Sequence, residues 1–167
     1  MVLMKQTIKI KGKIKFDPIN RTTKHHKQGS WKKLAMVIFD GDLSEYYAWF
    51  LKKRYNLTLN KPLRNSHITF INDRESDMNG KWGEMKEKYQ SKEIEIVLSI
   101  DPITHSRSSG HWWLNIPEED RCELHNLRGE LGLSRPYWGL HMSLGYANDN
   151  NLAHSKYIHK LISKYGY

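Results

Sequence analysis

The chain has 167 residues, 38% of them hydrophobic, with a mean hydropathy of −0.73. That length sets a prior of one domain with a real but lean core, to which six Trp, nine Tyr and four Phe contribute large buried areas. A formal charge of +9, from 27 Lys+Arg against 18 Asp+Glu, favours an anionic partner such as nucleic acid or a nucleotide. One cysteine, Cys122, excludes a disulfide framework and suits a reducing cytoplasm. It falls in a predicted helix, where a buried structural thiol is expected. No apolar run approaches the ~18 residues of a membrane span, and the charged, alternating N-terminus does not read as a signal peptide.

Thr7 to Phe16 alternates without a break and predicts a half-buried strand. Ile8, Ile10, Ile14 and Phe16 share one face. Lys9, Lys11, Lys13 and Lys15 share the other, where lysines commonly protect a sheet edge. Asp17 to Ser30 is a polar loop, and His25-His26 within it has no metal-ligand spacing. Lys33 to Phe39 predicts a buried strand, Asp40-Gly41-Asp42 a turn with Asp42 as N-cap, and Leu43 to Tyr55 a helix. A loop with Lys61-Pro62 leads to a strand at His67. Asp73 to Gly80 is a loop, Lys81 to Gln90 a helix and Glu93 to Ile100 a strand. Asp101 to Gly110 is polar and Ser-rich. His111 to Ile116 predicts a strand with His111, Trp113 and Asn115 on one face. Pro117 opens a helix with acids at its positive end, running to about Glu130. After a second histidine strand, Asn148 to Asn151 is a turn. Leu152 to Lys164 is a helix that docks Ile158 and Leu161 on the sheet.

The chain repeats itself. Shifted by 74 positions, Leu57 to Phe70 lies on Leu131 to Leu144 with no gap. Leu57, Leu59, Lys61, Pro62, His67 and Thr69 meet Leu131, Leu133, Arg135, Pro136, His141 and Ser143. Upstream, Arg54 meets Arg128, Phe50 meets Leu124 and Glu45 meets Glu119. A fixed-offset echo marks a duplicated unit, here approximately 33–72 and 111–146 within one domain.

Each unit ends on histidine, apolar residue, hydroxyl, apolar residue: His67-Ile68-Thr69-Phe70 and His141-Met142-Ser143-Leu144. On a strand the histidine and hydroxyl point one way and the apolar pair points into a core. One such motif is a common accident among nine histidines; two with matching flanks are a site. Near neutrality one imidazole can accept a proton while the other donates one. Thr and Ser hydroxyls can donate to the non-bridging oxygens of a phosphate, and Lys61, Arg64 and Arg135 lie just upstream. No Cys cluster or acid at ligand spacing from either histidine points to a metal, and no nucleophile elbow points to a serine hydrolase.

The doubled His67-Ile68-Thr69 and His141-Met142-Ser143 resembles the two-histidine (2H) phosphoesterase superfamily. Its members include 2′-5′ RNA ligase-like proteins, cyclic phosphodiesterases, viral 2′,5′-oligoadenylate phosphodiesterases and phage anti-CBASS nucleases that destroy cyclic nucleotide signals. The resemblance implies a bilobal, pseudo-two-fold α+β fold, with two small, mostly antiparallel sheets flanking a central cleft and helices outside. It implies catalysis without metal or other cofactor. His67 and His141 become the acid/base pair, and Thr69 and Ser143 the phosphate-positioning hydroxyls.

The expected substrate is a nucleotide or oligonucleotide phosphodiester: a cyclic oligonucleotide, a 2′-5′ linkage or a 2′,3′-cyclic phosphate. Tyr137-Trp138 replaces Leu63-Arg64 in the second echo and offers a base-stacking pair, with Trp113 and Trp31 as further candidates. Packing of Trp138 under its own loop is the competing expectation. The alternatives are an RNA end-processing enzyme of the 2′-5′ RNA ligase-like type, a non-catalytic nucleotide or RNA binder, and a structural repeat. A monomer in the cytoplasm, the host's if phage-encoded, is the expected state.

Overall fold

The computed structural model describes residues 6–18, 33–62, 64, 66–73, 80–105, 110–136 and 138–167. His25, His26, Trp31 and Tyr137, with most of the loop from Asp17 to Ser30, lie outside them. The described chain runs β1 (Thr7–Phe16), β2 (Ala35–Phe39), α1 (Leu43–Tyr55), β3 (His67–Ile71), α2 (Trp82–Tyr89), β4 (Glu93–Ser99), β5 (Ile103–Thr104), β6 (His111–Asn115), a 3-10 turn (Glu118–Asp120), α3 (Cys122–Glu130), β7 (His141–Tyr146) and α4 (Asp149–Tyr165). No helix among the described residues is long and apolar enough to cross a membrane.

The seven strands form one antiparallel sheet in the order β4-β1-β2-β3-β7-β6-β5. The two small sheets expected from the sequence are thus halves of a single sheet, continuous where β3 pairs with β7 through Ile68 and Met142. The strand order reads outward from that centre in the same way on both sides, with β2 and β6 next and β1 and β5 beyond.

The sheet is strongly curled. Its two edge strands, β4 and β5, are joined by only Ile100, Asp101 and Pro102. Four residue steps reach about 14 Å at most, whereas seven flat strands would separate the edges by about 29 Å. Curling resolves the mismatch, and residues of β4 approach β6 within 8 Å between Cα atoms.

One face of the sheet carries the core. Ile14, Phe16, Val37, Ile68, Phe70, Ile96, Leu98, Trp112, Leu114, Met142 and Leu144 meet Tyr47 and Leu51 of α1, Met85 of α2, Leu124 and Leu127 of α3, and Ile158 of α4. Full burial of each such side chain contributes roughly 1.5–3 kcal/mol. The helices cross between the halves: α1 packs on β7 and α3 on β3. Each histidine strand is therefore backed by the helix of the other half.

The two halves of the sheet carry the same irregularity. Ala35 pairs with Ile71 and Met36 with Thr69, leaving Phe70 as the extra residue of a bulge. Trp112 pairs with Gly145 and Trp113 with Ser143, leaving Leu144 in the same role, 74 positions on. By the same pairing Ala35 corresponds to Trp112, a shift of 77. The ungapped echo therefore ends at the turn Asp40-Gly41-Asp42, which the first half has and the second lacks. Gly145 marks another difference. Tyr146 and Asn60 exchange backbone hydrogen bonds of 2.7 and 3.0 Å, so a Cβ on Gly145 would lie 2.5 Å from the Asn60 carbonyl oxygen, and its φ is +152°. Its counterpart in the first half is Ile71.

Several expectations need correction. β1 is not an edge strand: β4 covers it, and Lys9 and Lys11 pair with Glu95 and Glu93 at 3.5 and 2.9 Å. Asp42 stands at the start of α1 but its side chain makes no cap bond. The Ser66 hydroxyl takes that role, accepting from the Ser44 amide at 3.1 Å while the Ser66 amide donates to Ser44 Oγ at 2.6 Å. Cys122 is exposed, because the helix begins there after a separate 3-10 turn. The segment 148–151 is the start of α4, capped by the Asn148 side chain, which accepts from the Asn151 amide.

Candidate active site

The four motif residues meet on the face opposite the core. Ile68, Phe70, Met142 and Leu144 are at most 1% exposed and anchor β3 and β7 from below. Alternation then lifts His67, Thr69, His141 and Ser143 to the other face, all half-buried. The antiparallel register through Ile68 and Met142 sets His67 beside Ser143 and Thr69 beside His141. The two histidines therefore lie on a diagonal of adjacent strands, a spacing of about 7–8 Å that long side chains bridge.

Both imidazoles are oriented by the backbone just before their strands. His67 Nδ1 donates to the Arg64 carbonyl at 3.1 Å, and His141 Nδ1 donates to the Gly139 carbonyl at 2.6 Å. A carbonyl only accepts, so each Nδ1 carries a proton and Nε2 is the ring nitrogen that gains or loses one near neutrality. Ser66, at φ +36° and fully buried against α1, fixes the entry to His67. Leu140 holds the matching place before His141, and its carbonyl accepts from Ile116 at 3.2 Å as the Ser66 carbonyl accepts from Phe39 at 3.0 Å.

Burial lowers the pKa of His141, and the nearby Arg121 cation lowers it further against the pull of the Gly139 hydrogen bond. His141 is thus neutral near pH 7. Arg121 is itself held by its Nε, which donates to the Ile116 carbonyl at 2.8 Å. The sequence reading passed over this cation because no echo marks it.

The other expected residues divide. Trp113 belongs to the site: it lies across from Ser143 on β6, with ring centroids 5.8 Å from His141 and 5.1 Å from His111. Arg64 contributes its carbonyl to His67. Lys61 instead pairs with Glu45 of α1, where it lines a small cavity of about 260 Å³ with Leu59, Pro62 and the core residue Leu144. Arg135 pairs with Glu118 at 3.7 Å, both largely exposed. Each cation pairs within its own half, Lys61 with the first turn of α1 and Arg135 with the 3-10 turn that precedes α3. Trp138 is partly buried, and the Arg128 guanidinium lies over its ring, 5.6 Å from the ring centroid.

Sequence reasoning also passed over His111 and Tyr146. His111 Nε2 lies 2.9 Å from Ser143 Oγ, and its ring stacks on Tyr146 at 4.7 Å and 14°. Burial and the neighbouring His141 push its pKa down to about 4. The unfolded chain binds that proton near pH 6.5 and the folded one near 4, so this contribution to stability is complete above 6.5 and is lost as pH falls toward 4. Denaturant unfolding at pH 7 and pH 4.5 should differ by on the order of 2 kcal/mol from this group after allowance for solvent screening. His141 adds in the same sense. A His111→Leu variant with an unchanged pH slope would contradict the assignment.

Among the described residues no three His, Cys, Asp or Glu side chains are grouped so that they could hold a metal ion. No protein-family model, curated protein or solved structure matches the chain.

Proposed function

We propose that this protein is a phosphodiesterase acting on a nucleotide or oligonucleotide by histidine acid/base chemistry, its two half-sheets serving as the two lobes of a 2H phosphoesterase. The observation that carries the reading is the shared face of His67, Thr69, His141 and Ser143, with both imidazoles held through Nδ1 by backbone carbonyls. Two imidazoles on a diagonal of adjacent strands, beside two hydroxyls, suit a tetrahedral phosphorus flanked by an attacking and a leaving oxygen.

His141, kept neutral by burial, takes the proton of the attacking oxygen at Nε2. That oxygen belongs to water or to a ribose 2′-hydroxyl and forms the new bond to phosphorus. His67, entering as imidazolium, gives its Nε2 proton to the oxygen whose bond to phosphorus breaks. Thr69 and Ser143 donate to the non-bridging oxygens as charge shifts onto them. Arg121 acts on His141 as a neighbouring cation, where the sequence had offered Lys61, Arg64 and Arg135 for the phosphate. Trp113 and the exposed ring of Tyr146, 43% accessible, are the surfaces on which a base can stack. The reading needs no cofactor.

A panel tests the substrate class: cyclic dinucleotides, 2′-5′ oligoadenylate and an RNA ending in a 2′,3′-cyclic phosphate. Cleavage of the first two places the protein with signal-degrading enzymes, as in the phage nucleases it resembles. Cleavage of the RNA alone makes it an end-processing enzyme. Tight, salt-sensitive binding with no cleavage of any would replace the proposal with a nucleotide-binding module.

A further inference from the structure

The two halves differ most beside their hydroxyls. On the first side, the register of β2 against β3 places Met36 across from Thr69 and Ile38 across from His67. On the second, Trp113 stands across from Ser143 and Asn115 across from His141. By the same shift of 77, His111 takes the position that Leu34 holds in the first half. An aliphatic wall thus faces a wall of His111, Trp113 and Tyr146 rings, joined at centroid distances of 5.1 and 4.7 Å.

The geometry points to His111 as a positioning residue of this site: its Nε2–H donates to Ser143 Oγ and so keeps the serine proton directed at a phosphate oxygen. The inference rests on the phosphodiesterase reading above and goes beyond it, since neither motif contains His111. A hydroxyl has one proton. If His111 Nε2 accepted that proton, Ser143 could not donate to substrate. With His111 as donor, the serine oxygen is satisfied from behind and its own O–H points away from β6. The His111 ring is clamped for this task. Tyr146 stacks on it at 14°, Trp113 lies at 34° to it, and His141 meets it edge-on at 5.4 Å. Tyr146 is in turn pinned by its two backbone bonds to Asn60. Thr69 has no such support from Leu34, so the arrangement makes Ser143 the more rigid of the two hydroxyls.

Four variants and one spectrum test this. His111→Leu installs the residue of the first half, and His111→Gln keeps an N–H donor at the same reach. In kcat/KM on the cleaved phosphodiester, His111→Leu should lose about ten-fold, the scale of one oriented hydrogen bond. His111→Gln should stay within about three-fold of the parent. Ser143→Ala should lose its own share, and Ser143→Ala with His111→Leu should lose no more than Ser143→Ala alone. Imidazole nitrogen NMR of the unaltered protein at pH 7 should show His111 protonated at Nε2. Independent, multiplying losses, or a glutamine variant as poor as the leucine one, would overturn the proposal. So would an Nδ1–H tautomer at His111, or a phosphoserine at Ser143 trapped during turnover, either of which makes His111 the acceptor. If the unaltered protein cleaves no phosphodiester, the functional reading falls, and the tautomer alone decides whether His111 is the donor.

Discussion

Alanine at either His67 or His141 should lower phosphodiester cleavage by roughly 10²–10⁴-fold, the usual contribution of a positioned acid or base. Substrate affinity should change far less, because the loss falls on proton transfer in the transition state. The double substitution should cost little more than either alone, since a half-equipped acid/base pair already stalls one of the two transfers. Folding should survive. Both side chains lie on the half-buried face, and the core beneath rests on Ile68 and Met142, which stay in place. Steady-state kinetics with thermal unfolding as a control make the measurement. A histidine variant within about three-fold of the parent removes that residue from the chemistry. A variant that fails to fold would assign its histidine to structure.

The second large effect concerns stability. Arg128 is 1% exposed, yet it is a full cation in the interior. Its guanidinium donates to the Phe70 carbonyl at 2.8 Å and to the Ser134 carbonyl at 2.6 and 2.9 Å. It pairs with both Asp73 oxygens at 2.5 and 2.8 Å. It thus ties α3 to the end of β3 and to the loop before β7, joining the two halves behind the site. Asp73→Asn should leave a buried charge without its counter-ion and cost about 3–5 kcal/mol. Arg128→Leu should cost a similar amount by orphaning buried carbonyls. Arg54, its partner in the sequence echo, is exposed, and Arg54→Ala should fall within about 0.5 kcal/mol of the parent. Equal losses at Arg54 and Arg128, read by urea unfolding, would contradict this account.

That pair shows where the sequence was legible. The echo aligned Arg54 with Arg128, and their places on α1 and α3 do correspond. What it could not carry was burial, which here depends on Asp73, Phe70 and Ser134 arriving from distant positions. The same limit applies to Lys61 and Arg135, whose charges are taken up by Glu45 and Glu118. Period-two alternation revealed β1 and both motif strands because each has a core on one face. β5, two residues long, has too few positions for any period. His111 was placed on the correct face of its strand, but its partner Ser143 lies 32 positions away, across a pairing that only the fold makes. The shift from 74 to 77 was hidden because the Asp40-Gly41-Asp42 turn lies outside the aligned segment.

The central claim is that two histidines on adjacent strands carry out metal-independent acid/base cleavage. It is tested most directly by kcat/KM against pH in excess EDTA. The account predicts undiminished turnover and a bell-shaped profile whose acid limb, set by the lowered pKa of His141, falls below 6.5. Turnover abolished by EDTA, or a rate that rises with pH without a maximum, would contradict it.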